Sequence, residues 1–161
     1  MNSRFMWFGR HEGWLRHLAH GVKSGDEQCL RKAAGLFDLM LPDRCVVVPM
    51  PSHNGMAEDM LKVIDHMPCG KRYVMDALTC VPHESSRAQK LAGFAPSPIV
   101  MSVDSAIVQR MLAETSDEFY GGVYVIDNVI CSGTTASAAI RALNDIGLDA
   151  KVISLTYATW R

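Results

Sequence analysis

Residues 123–143, VYVIDNVICSGTTASAAIRAL, change periodicity halfway along. Val123 to Ile126 are apolar throughout, which suits a strand covered on both faces. Asp127 ends that run at 127. Small residues and hydroxyls follow in Ser132, Gly133, Thr134 and Thr135, and apolar positions then recur at helical spacing through Ala136, Ala139, Ile140 and Leu143. The spacing predicts a strand over 123–127, a tight turn, and a helix over about 134–146 that Gly147 terminates. Such a turn has two readings. It is an ordinary capped strand-to-helix connection, or it is a cradle for a phosphorylated sugar.

The flanking sequence repeats the alternation of strand and helix. Helices are expected over 14–22, 27–40, 56–67 and 104–114, and strands over 45–50, 72–78, 99–103 and 151–158. Residues 79–98 carry three prolines, three serines and a basic cluster, so they read as a long mobile loop. Strands alternating with helices predict an α/β fold built on a parallel sheet with helices on both faces. No repeat or linker divides the chain. One domain over 1–161 is expected, with a helical segment at 1–43 packed on a core at 44–161.

Composition narrows the function classes. Sixteen basic and seventeen acidic side chains leave a net charge of −1, without the strong positive field of a dedicated nucleic-acid binder. The five cysteines are scattered and never in C-x-x-C spacing, which argues against a disulfide framework or a cysteine-built zinc site. No apolar run is long enough to span a bilayer, and the first residues lack the apolar core of a signal peptide. A cytoplasmic protein with no membrane partner is the expectation. His17 and His20 share a helix face near His11, but HEGWLRH is not H-E-x-x-H, and no metal site is expected there.

In a parallel α/β sheet, ligands bind beyond the carboxyl ends of the strands, where the 127–135 turn lies. Gly133 permits close backbone approach, and N–H groups from about Cys131 to Thr135 open the next helix. With three hydroxyls and the helix dipole, these favour a phosphate dianion. Asp127, upstream, suits ribose hydroxyls. A ligand with sugar hydroxyls at one end and phosphate at the other fits, as a 5-phosphoribosyl group does. G-x-x-x-x-G-K-[ST] and G-x-G-x-x-G are both absent.

VYVIDNVICSGTTA resembles the 5-phosphoribosyl 1-pyrophosphate (PRPP) signature of type I phosphoribosyltransferases. GWLRHLAHGVK (13–23), VVVPMPSH (46–53) and RAQKLAG (87–93) are similar to segments of the ComF branch, over about residues 8–158. The resemblance implies a transferase of nucleotide metabolism, a glycosyltransferase class, which moves a 5-phosphoribosyl group between PRPP and a base-like acceptor with Mg²⁺ carried on pyrophosphate. It implies catalytic roles for Asp127 and Asn128, and a 5′-phosphate loop at Cys131, Ser132, Gly133, Thr134 and Thr135. Pyrophosphate would meet Met50, Pro51, Ser52, His53, Arg87 and Lys90, and Tyr157 would belong to a hood over the base. A homodimer is an assembly open to such a protein. Two departures stand out. The chain lacks the cysteine-rich zinc ribbon usual in ComF proteins, and Asn128 stands where the signature has its second acid. Loss of that charge weakens support for a developing sugar cation, so binding should survive better than turnover. A non-catalytic PRPP- or nucleotide-binding regulator is one alternative, and a DNA-uptake accessory protein is another.

Overall fold

Apolar runs such as VVVP and VYVI need cover on both faces, and the sheet provides it. The computed structural model describes residues 4–95, 97–115 and 121–159, the side chains of Ser86 and Arg87 excepted. The strands are β1 (Phe5–Arg10), β2 (Val46–Pro49), β3 (Tyr73–Val74), β4 (Leu78–Cys80), β5 (Met101–Val103), β6 (Val123–Ile130) and β7 (Ala150–Tyr157). The helices are α1 (Gly13–Ser24), α2 (Glu27–Met40), α3 (Glu58–Asp65), α4 (Ser86–Leu91), α5 (Ser105–Glu114) and α6 (Thr134–Asn144).

Five strands form one sheet in the order β1-β7-β6-β2-β3, every pairing parallel. The chain crosses from β1 to β2 through α1 and α2, and onward to β3 through α3. From β6 it returns the other way, to β7, through α6. Right-handed crossovers running in opposite directions lie on opposite faces of a sheet. Packing agrees: α1, α2 and α3 touch one another, whereas α6 packs on β5, β6 and β7. The mostly parallel α/β sheet flanked by helices is the fold class expected. Connections leave adjacent β6 and β2 in opposite directions, so a crevice opens between their carboxyl ends.

The core is aliphatic. Val47, Val48, Val125, Ile126, Val152, Ile153 and Leu155 on the strands meet Leu18, Val22, Phe37, Val63 and Leu143 from the helices, all almost fully buried. Three elements depart from the expectation. Phe5–Arg10, not read as a strand, pairs with β7 through Phe5↔Val152 to Arg10↔Tyr157, so the N-terminal segment supplies a sheet edge as well as two helices. The strand expected over 72–78 splits. Its first part joins β2, and from Leu78 the chain enters a separate antiparallel ribbon, β4 with β5. The stretch expected to be a structureless loop contains α4. Ser85 caps it by accepting from the Ala88 N–H, and buried Gln89 grips Ser97 through both ends of its amide.

Arg72 closes the far side of the fold. Its side chain, 5% exposed, pairs with Asp38 and donates to the carbonyls of Asp38, Leu41 and Pro42 at the end of α2. The same guanidinium holds the Asp38 carboxyl below its usual range. Arg72 therefore has a structural task on the α2 side of the molecule.

Candidate functional site

β6 runs three residues further than expected, to Ile130, and the turn follows at Cys131–Gly133. Gly133 is the N-cap of α6 at φ 76°, a left-handed conformation that glycine adopts without strain. No side chain caps α6 through Gly133, and no acid occupies its first turn. The Ser132 hydroxyl is shared with Thr134 Oγ1 at 2.8 Å and makes only a 3.4 Å approach to the Thr134 N–H. A Cβ placed on Gly133 would meet nothing within 4 Å. The helix thus presents open N–H groups and the positive end of its dipole to empty space.

That space is a cleft of about 620 Å³, within the range of small-molecule sites. The loop after β2 forms one side through Met50, Pro51, Ser52 and His53; Asp127, Asn128, Cys131, Ser132, Gly133 and Thr135 form the floor and the turn. Lys90 enters from α4. Thr134 stands in the turn outside the lining. Of the remaining expected residues, the Arg87 side chain lies outside the described residues, and Tyr157 does not line the cleft. Its ring stacks on Trp7 at 4.8 Å.

Asp127 and Asn128 diverge. Asp127 is half-buried, and its Oδ1 accepts from the Asn128 N–H at 2.7 Å. Desolvation dominates over that bond and pushes its carboxyl up to about 6. Asn128 instead donates from Nδ2 to the Ala19 carbonyl of α1 at 2.8 Å, while its buried Oδ1 has no partner. The swapped amide would set oxygen against oxygen, so the geometry fixes which end is nitrogen. The two signature positions therefore do different things: one offers a carboxylate to the cleft, the other ties a helix to the sheet.

The loop after β2 offers fewer donors than expected. The Met50 N–H is bonded to Ile126, and the Ser52 N–H to Met56. The Ser52 hydroxyl donates to Asn54 Oδ1. The loop also touches the ribbon, where the His83 N–H donates to the His53 carbonyl at 3.0 Å. Gly55, at φ 90°, lies so near that a Cβ would stand 2.7 Å from the Cys80 carbonyl.

Compared with known proteins, the chain matches no protein-family model and no curated protein.

Several lining residues escaped the sequence reading: Lys23 on α1, Asp59 and Met60 on α3, and His83, Ser85 and Leu91 on the ribbon and α4. Lys23 closes the GWLRHLAHGVK segment, and Asp59 opens the helix after the 50–55 loop, so both had local signals. His83 and Ser85 had none beyond lying in a basic loop. Lys23, His53, His83 and Lys90 face a cleft whose acids are Asp59 and Asp127. Among the described residues, no group of three or more His, Cys, Asp or Glu side chains could hold a metal ion, and no helix is long and apolar enough to cross a membrane.

Proposed function

We propose that the cleft binds a 5-phosphoribosyl group and that the protein is a phosphoribosyltransferase acting on PRPP. The observation that carries this reading is the start of α6. No acid occupies its first turn, Gly133 offers no side-chain cap and keeps the approach clear, the Ser132 hydroxyl meets only the Thr134 N–H at 3.4 Å, and Asp127 stands upstream on β6. A phosphate dianion belongs at the turn, and ribose hydroxyls belong at Asp127.

In the reaction, the bond from the anomeric carbon to pyrophosphate breaks, and its electron pair leaves with pyrophosphate. A bond from the acceptor nucleophile to that carbon forms, and the acceptor's proton passes to solvent or to a cleft base. Ionised Asp127 supports the positive charge that develops on the sugar. Lys90, His53 and His83 also line the cleft, and departing pyrophosphate would meet them. Mg²⁺ would be held by substrate oxygens and water, with Asp59 and Asp127 the carboxylates of the cleft.

A second reading, a PRPP- or nucleotide-binding regulator, is favoured by Asn128, whose amide is engaged with α1. Incubation with PRPP, Mg²⁺ and a panel of bases, with pyrophosphate release followed, separates the two. Release that needs a base supports the transferase. Binding without release supports the regulator, and no binding at millimolar PRPP sinks both.

A further inference from the structure

We propose that Lys23 reads a second anionic group of the ligand, remote from the 5′-phosphate, and that Asn128 is the positioning residue that mounts it. The inference rests on the phosphoribosyl reading of the cleft. Lys23 lines the cleft from α1 and, among the described residues, has no hydrogen-bond or ion-pair partner for its ammonium. Asp59 lines the same cleft without pairing with it. Ala19 and Lys23 are four residues apart, so they share a helix face. The Asn128 amide grips that face through the Ala19 carbonyl and joins residues 109 apart in sequence.

Asparagine does here what aspartate cannot. A carboxylate has no hydrogen to give Ala19, and its charge beside the α1 face would draw and neutralise the ammonium. The amide holds α1 against β6 and leaves Lys23 charged and unspent. Lys23 lines the cleft from α1, whereas the phosphate turn opens α6 on the other face of the sheet. A ligand filling the cleft therefore carries two negative ends. The second is the pyrophosphate of PRPP or a carboxylate on the acceptor, and both present anionic oxygens to an ammonium.

Two ligand pairs distinguish these sources by titration calorimetry with Mg²⁺ present. PRPP against ribose 5-phosphate isolates the pyrophosphate, and orotidine 5′-monophosphate against uridine 5′-monophosphate isolates a carboxylate on the base. Lys23 is exposed, so Lys23→Met tests its charge in a folded protein. The preference for the more anionic member of one pair should fall by about tenfold or more, the worth of one charged hydrogen bond. Lys23→Arg should restore much of it, and Asn128→Ala should lower it in the same pair. An unchanged preference in both pairs with Lys23→Met overturns the inference while the cleft reading stands. If the unmodified protein binds none of the four ligands, the cleft reading falls and the role of Lys23 falls with it.

Discussion

Asp127 places a cost inside the free protein that only a ligand relieves. Its carboxyl is pushed up to about 6 from an ordinary 3.8. Between those values the folded chain keeps a proton that the unfolded chain has lost, so stability falls as pH rises through the window and levels off above it. Asp127→Asn removes the charge and should stabilise the free protein by about 1–3 kcal/mol at pH 8, with little effect below pH 4. The same change should weaken PRPP binding above pH 6. Urea midpoints at the two pH values check this; equal shifts at both would show that the carboxyl is not desolvated. Asn128→Asp sets a carboxylate oxygen against the Ala19 carbonyl where a hydrogen bond now lies. It should lower stability by about 1–3 kcal/mol. Pyrophosphate release should stay level or fall, although a restored acid pair on its own would raise it. An increase would mean that α1 tolerates the loss and that the second acid dominates. Of these two residues the sequence shows only half. An acid before a turn is a local pattern, whereas a partner 109 positions away is not.

At the scale of elements, the proposed phosphate site is the start of α6. Gly133→Ala has room for its Cβ, yet φ 76° disfavours any side chain. Destabilisation of about 1 kcal/mol is expected from backbone strain alone. On the proposed reading PRPP affinity should fall by more than that strain explains, because the Cβ would occupy the space through which phosphate would reach the helix. Thermal melts with and without PRPP measure both effects. A protein that loses stability but keeps its affinity would place the phosphate elsewhere. Elements with strong local periodicity were legible: α2, α5, α6, β2 and β7 fall within a residue or two of expectation. The elements that departed depend on distant partners. β1 is a short aromatic run whose edge position is set by β7. The 72–78 stretch has one apolar pattern, but the chain leaves the sheet after the Met75 N–H bonds to Val47, because Pro49, the next ladder position on β2, has no N–H to give. α4 is only six residues long, and what fixes it is the Gln89–Ser97 tie, which no periodicity announces.

For the whole molecule, the question is whether residues 1–43 behave as an appended segment or as part of one folding unit. Several ties cross the boundary, and three bear most on this question. β1 pairs along β7, the Asn128 amide holds α1, and Arg72 clasps Asp38 and the end of α2. Each buries polar groups that lose their partners if the segment peels away, and unpaired buried groups are costly enough to couple the two parts. The cleft depends on the same coupling, since Lys23 comes from this segment and the turn from the core. A single cooperative transition is therefore expected in urea. In a Trp160→Phe background the remaining Trp7 on β1 and Trp14 on α1 report the segment by fluorescence, and far-UV circular dichroism reports the sheet and helices together. The two curves should coincide. Arg72→Met should move both to lower urea by the same amount, with a loss of about 1–3 kcal/mol because the partly exposed Asp38 and the carbonyls of Asp38, Leu41 and Pro42 lose their donor. If the tryptophan signal moves first while the dichroism transition stays in place, the segment is a separate unit, and ligand binding would then have to recruit it before Lys23 reached the cleft.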